Sequence, residues 1–211
     1  MLNKLKNILI KRQNHKKMAK LKFDRYLDYQ KYFLDEDKAT NWDSSYFSKI
    51  INEKMPNVNN LVLLEIGVAR GETSRYTLTK LSDRLDVYYG VDPYISNYDK
   101  KDSFSHYSQT LMDHCYLYAL NKNQDIRFKL LRTTSYLAAK TFSEKSIDAI
   151  FVDGDHTYEG TKQDLTIWKN KVKPGGLIIG DDFQTFEGVR KAVSENFSSF
   201  EQDGNYWHVI R

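Results

Sequence analysis

At 211 residues, with 40% hydrophobic and 14% aromatic side chains, the chain is long enough for one domain with a sizeable core plus an extension. Its single cysteine, Cys115, excludes an internal disulfide, and neither a signal peptide nor an apolar run fit to span a bilayer is seen, so a cytoplasmic protein is expected. The net charge of +4 hides a division: residues 1–22 carry eight Lys or Arg and no acid, which leaves 24 basic against 28 acidic side chains, a balance of −4, in the remainder.

The basic arm, residues 1–22, places Leu2, Leu5 and Leu9 at helical spacing. Such a segment serves as a solvated helical arm, or lies on an anionic membrane surface or a protein partner, which leaves a peripheral membrane position open. Residues 23–56, with "YLDYQKYFL" and "SSYFSKIINEKM", predict one or two helices that precede and cover the sheet, and Pro56 with "NVNN" closes the segment. From Leu61 onward short apolar runs alternate with amphipathic stretches. Strands are expected at 61–66, 87–92, 126–131, 147–153 and 176–182, with helices near 73–82, 106–120, 135–141, 158–170 and 187–196. That alternation argues for βαβ units and a parallel sheet. After the last helix, "SSF", "EQDGN" and "YWHVIR" read as strand, turn and strand, because Asp-Gly between apolar runs signals a hairpin. The expected fold class is therefore α/β: a Rossmann-like, mostly parallel seven-stranded sheet with a C-terminal antiparallel hairpin and helices on both faces.

The first strand runs into "LLEIGVARGETS", where Gly67 and Gly71 let a ligand approach the backbone at the start of a helix. The second strand ends on Asp92, 21 residues after Gly71, where a carboxylate can accept from both hydroxyls of an unphosphorylated ribose. A dinucleotide site prefers Gly-x-Gly-x-x-Gly, whereas Val68, Ala69 and Arg70 separate the two glycines here and Glu65 precedes them. The pattern Glu-x-Gly-x-x-x-Gly resembles the first motif of the class I S-adenosylmethionine-dependent methyltransferases, matching Glu65, Gly67 and Gly71. The resemblance implies that residues 57–211 form the S-adenosylmethionine-binding domain, that the glycine loop passes the methionine part of the cofactor, and that Asp92 binds its ribose. In "LLRTTSYLAA", where relatives often have Gly-Asp-Ser at the adenine side, Ser135 matches and Thr134 stands in place of the acid.

Three acids follow the next strands: Asp153 in "IFVDGDHTYEG", and Asp181 with Asp182 in "GLIIGDD". If these strands are neighbours, about 4.8 Å apart, the carboxylates converge and repel unless some are protonated or a cation sits among them. All-oxygen ligands suit Mg²⁺ or Mn²⁺. Structural roles compete for some of these residues: Asp155 or Thr157 can cap the helix near Tyr158, and Asp182 can cap a turn before Phe186. The stretch "VDGDHTYEG…PGGLIIGDDF" is similar to the metal-dependent O-methyltransferases of the catechol, caffeoyl-CoA and macrocin types. That similarity implies metal ligation by Asp153, Asp181 and Asp182. Three residues after the first acid the catechol and caffeoyl types carry a lysine base; here His156 occupies that position and is expected to take a proton near its ordinary pKa of about 6.5, with Asp155 orienting it or capping the helix.

The implied reaction is O-methylation of a small-molecule or saccharide hydroxyl, with residues 23–56 and 93–107 covering the acceptor. A net negative domain disfavours nucleic acid as substrate. A hydroxylase-like enzyme on the same scaffold and a non-catalytic cofactor-binding protein stand as alternatives, and a homodimer is left open. His106, His114 and His208 have no comparable context.

Overall fold

The computed structural model describes residues 44–102, 105 and 107–211, so the basic arm and residues 23–43 of the helical cover lie outside the described residues. Among the described residues the chain order is α1 (Tyr46–Lys54), β1 (Leu61–Ile66), α2 (Glu72–Lys80), β2 (Leu85–Val91), α3 (Gln109–Lys122), β3 (Phe128–Leu131), α4 (Ser135–Ala139), β4 (Ile147–Val152), α5 (Tyr158–Trp168), β5 (Val172–Gly180), α6 (Glu187–Asn196), β6 (Glu201–Asp203) and β7 (Tyr206–Ile210). The strands form one seven-stranded sheet in the order β3-β2-β1-β4-β5-β7-β6. The first five strands pair in parallel, β7 runs antiparallel to β5, and β6 pairs antiparallel with β7.

The apolar runs explain the layers. Every residue of β4 is buried, because strands covered by helices on both sides need apolar side chains in both directions. One core joins Leu61, Leu63, Tyr88 and Phe151 to α1, α2 and α3; the other joins Leu64, Ile66, Ile150 and Ile178 to α4, α5 and α6. Tyr46 of α1 stacks on Tyr206 of β7 with ring centroids 4.1 Å apart, so this helix closes the sheet beside the hairpin. The expected hairpin is present, but its first strand is Glu201–Asp203, inside the stretch read as turn, and not 198–200; Gly204 takes φ +61 in the turn.

Register decides where the functional residues fall. Ile66 pairs with both Val91 and Val152, and Val152 pairs with Gly180. The next hydrogen bonds continue the ladder past the strand ends: Gly67 N–H donates to Val91 O, Asp153 N–H to Ile66 O, and Asp181 N–H to Val152 O. Asp92, Gly67, Asp153 and Asp181 thus emerge side by side along one edge, and the chain order reverses there between β1 and β4. Open α/β sheets bind ligands at such a switch point.

Candidate active site

The loop between β1 and α2 depends on backbone that few residues adopt. Gly67 has φ +85, and a Cβ on it would lie 1.9 Å from the carbonyl oxygen of Asp153. Gly71, at φ +78, is pressed against Asn123 and Ala119 of α3 and its cap. Between them Ala69 adopts φ +48, a conformation that surrounding contacts must hold in place. Asp92 Oδ2 accepts from Val68 N–H at 3.1 Å and Ala69 N–H at 3.0 Å, while the buried Tyr94 hydroxyl donates to Ala69 O at 2.9 Å. The acid after β2 and the glycine loop are therefore one unit. Burial pushes the Asp92 carboxyl up, against the opposing effect of three backbone N–H groups.

Glu65, expected beside the cofactor, is 2% exposed on the core side of β1. Its carboxyl accepts from the hydroxyls of Ser74 on α2 and Tyr88 on β2, and burial pushes its pKa to about 8. The residue thus ties the strand to the helix that the loop connects. Ser135 donates to Asp164 of α5 at 2.5 Å and accepts from the Trp168 indole at 2.6 Å, so its hydroxyl joins α4 to α5. Thr134, standing where relatives often have an acid, caps α4 by accepting from Leu137 N–H.

Of the strand-end acids, Asp153 and Asp182 meet around His156. His156 Nε2 lies 2.9 Å from Asp182 Oδ2 and 3.7 Å from Asp153 Oδ1. Its Nδ1 lies 3.0 Å from Asp102 Oδ2, and its ring packs on Phe186 with centroids 4.6 Å apart. One potential ligand atom from each of Asp153, His156 and Asp182 falls within 4.8 Å of the others. Asp181 is turned aside: its Oδ1 accepts from Asp182 N–H at 2.6 Å and from the Asn205 amide at 2.8 Å. Asn205 also donates to Asp182 at 3.0 Å and accepts from the N–H groups of Gln184 and Thr185. The hairpin tip thereby holds the loop after β5, where Asp182 sits at φ +64. A small cavity of about 10 Å³ beside Asp153, Asp155, His156 and Asp181 has room for one water-sized occupant.

The electrostatics reflect this crowding. Burial and the neighbouring Asp153 and Asp182 push Asp181 up to about 7. Burial acts the same way on Asp153, which stays raised although His156 opposes it. On Asp182 burial is outweighed by His156 and Asn205, and its carboxyl lies below the usual range. Burial should make the imidazole easier to deprotonate, but Asp102, Asp153 and Asp182 reverse that and push His156 up to about 12. The acids around the ring thus favour its protonated form, in contrast to the titration near 6.5 expected from the sequence.

Asp155 serves the helix start, since its Oδ1 accepts from Thr157 N–H while Thr157 caps α5 by accepting from Gly160 N–H. The carboxylate at His156 Nδ1 is Asp102. Sequence reasoning passed over both Asp102, which sits in a polar loop without periodicity, and Asn205, read only as part of a turn.

The profile of the family described as "Methyltransferase domain" matches residues 64–183. Among solved structures, the fold resembles the O-methyltransferase NovP, with TM-score 0.61 and 20% identity over 80% of this chain and 78% of that one. It also resembles a Staphylococcus aureus protein assigned as a caffeoyl-CoA O-methyltransferase, with TM-score 0.58 and 16% identity over 99% and 98% of the two chains. A Klebsiella pneumoniae protein assigned as an O-methyltransferase gives TM-score 0.55 and 13% identity over 94% and 87%. At these identities the structural likenesses establish the fold. An uncharacterized protein, R132 of Acanthamoeba polyphaga mimivirus, is 40% identical over 40 residues, a stretch that spans 19% of this chain and 18% of that protein.

Proposed function

The chain belongs to the methyltransferase-domain family, with the class I S-adenosylmethionine-dependent fold, and from that premise we propose that it methylates a hydroxyl of a small molecule or saccharide with the help of Mg²⁺ or Mn²⁺. The observation that carries this reading is the meeting, at one sheet edge, of the Gly67 loop with Asp153, Asp181, Asp182 and His156.

The glycine cradle fits the methionine portion of S-adenosylmethionine, since the loop seats against β4 only without a side chain at Gly67. Asp92 would hold the ribose, with Ser135 at the adenine end. The acids fit a divalent cation as well, because hard carboxylate oxygens suit Mg²⁺ or Mn²⁺ and their mutual repulsion favours a cation among them. Asp153, Asp181 and Asp182 would hold it, and the bound ion would orient the acceptor hydroxyl and lower its pKa. His156, whose Nε2 faces Asp153 and Asp182, would take the hydroxyl proton, its hold on its own proton weakened where the charge of those acids is compensated. The remaining demand is alignment of the oxygen with the transferable methyl, which positioning can favour by up to ~7–11 kcal/mol. A net negative domain favours uncharged or cationic acceptors over nucleic acid. A homodimer, and contact of residues 1–22 with a membrane surface or a protein, belong to the same proposal.

The test is a screen of hydroxylated sugars and catechols with S-adenosylmethionine and Mg²⁺ or Mn²⁺, repeated in excess chelator. Turnover should vanish with chelator and in Asp181→Ala while cofactor binding is kept. Methylation that continues undiminished in chelator would remove the metal from the mechanism.

A further inference from the structure

The segment between β2 and α3, of which residues 92–102, 105 and 107–108 are described, reaches the loop after β4. Asp102 is its innermost acid at 6% exposure. One carboxylate oxygen, Oδ2, serves two atoms of His156: it accepts from the backbone N–H at 3.2 Å and lies 3.0 Å from ring Nδ1. Turn bonds within the segment present it, since Asp102 N–H donates to Asp99 O at 3.2 Å and Ser105 Oγ donates to Asp102 O at 3.0 Å. Asp99 Oδ2 also accepts from the Thr157 hydroxyl at 3.4 Å, which fastens the segment one residue beyond the histidine.

We propose that Asp102 is the positioning residue of the site, fixing the tilt of the His156 ring so that Nδ1 is bound from outside and Nε2 is presented to Asp153 and Asp182. The inference rests on the methyltransferase reading for the purpose of the histidine, but its geometry stands apart from it. A histidine ring can turn about two bonds and place either nitrogen inward, and the partner of one nitrogen selects the role of the other. Here Phe186 restrains the ring plane and Asp102 restrains its edge, so the presentation of Nε2 is set before any acceptor arrives. Because the same segment begins at Asp92 and Tyr94, which clamp the glycine loop, the cofactor end of the cleft and the histidine end are joined by one stretch of backbone.

The test uses full-length protein labelled with ¹⁵N-histidine, with the His156 signals identified by their loss in His156→Gln. In the wild type, Nδ1 should carry a proton protected from solvent exchange. In Asp102→Ala that protected signal should be lost, and Asp102→Leu, which fills the same space without an acceptor, should show the same loss if the alanine variant does not fold. Affinity for S-adenosylhomocysteine, measured in parallel by calorimetry, should be unchanged in the variant. Retention of the wild-type His156 ring pattern in either folded variant overturns the proposal and leaves Asp102 as a tether of the loop. Failure of the wild type to bind S-adenosylhomocysteine would count against the methyltransferase reading, while the ring spectra would still decide the role of Asp102.

Discussion

Glu65 shows how burial sets the state of a single residue. Its carboxyl sits in the core against Ser74 and Tyr88 and keeps its proton up to a pH of about 8, whereas in the unfolded chain it loses it near the ordinary value of 4.5. Between those values the folded state binds more protons, so the stability due to this group is complete below about 4.5, declines as pH rises to about 8, and is flat above. Glu65→Gln, neutral at every pH, should unfold later than the wild type at pH 8.5, by on the order of a few kcal/mol, and lose most of that advantage at pH 5. Urea unfolding at the two pH values checks this; an equal difference at both would show that Glu65 is ionised in the fold. The identities of Glu65, Asp92, Asp153, Asp181, Asp182 and His156 as residues of interest were legible, because strand-end acids and glycines occupy fixed places in a chain pattern. What could not be read was their state. Whether a histidine three residues after an acid is a base or a bound cation depends on all the acids around it, among them Asp102, 54 positions away, and sequence spacing carries no information about that contact.

The hairpin is the element whose role was least visible. "EQDGN" announces a turn, but the turn delivers Asn205 onto the loop after β5, where its amide donates to Asp181 and Asp182 and its oxygen accepts from Gln184 and Thr185. Asn205→Ala should destabilise the protein by ~0.5–1.5 kcal/mol, since it removes the part-buried bonds from the amide to the two carboxylates. Gln202→Ala on the same hairpin, whose amide donates to the exposed Gly204 carbonyl, should be close to neutral. Equal unfolding midpoints in urea for the two variants would mean that the tip does not brace the site. The strands and helices themselves were readable because their periodicities are strong. β1 and α6 fall where the pattern put them, while β5 starts at Val172, before the Pro-Gly-Gly that suggested a later beginning. The loop between β2 and α3 offered no period at all, and its fold is set by the tertiary bonds it makes to His156 and Thr157.

At the scale of the whole molecule, two cores on opposite faces of a mostly parallel sheet support one functional edge, and no helix among the described residues is long and apolar enough to cross a membrane. The excess positive charge lies in residues 1–22, and the rest of the chain carries a net balance of −4. Deleting residues 1–22 should leave cofactor affinity unchanged while weakening adsorption to anionic lipid vesicles or to an acidic partner; loss of cofactor binding on deletion, read by calorimetry, would place the arm in the core. The central claim is that the edge between β1, β2 and β4 binds S-adenosylmethionine, and the most direct test is calorimetric titration of the full chain with S-adenosylmethionine and S-adenosylhomocysteine. The wild type should bind both, and Asp92→Ala should bind at least tenfold more weakly, a loss of ~1.4 kcal/mol or more, because the ribose partner and the anchor of the glycine loop go together. No binding by the wild type, or equal affinity in the two proteins, would contradict that claim.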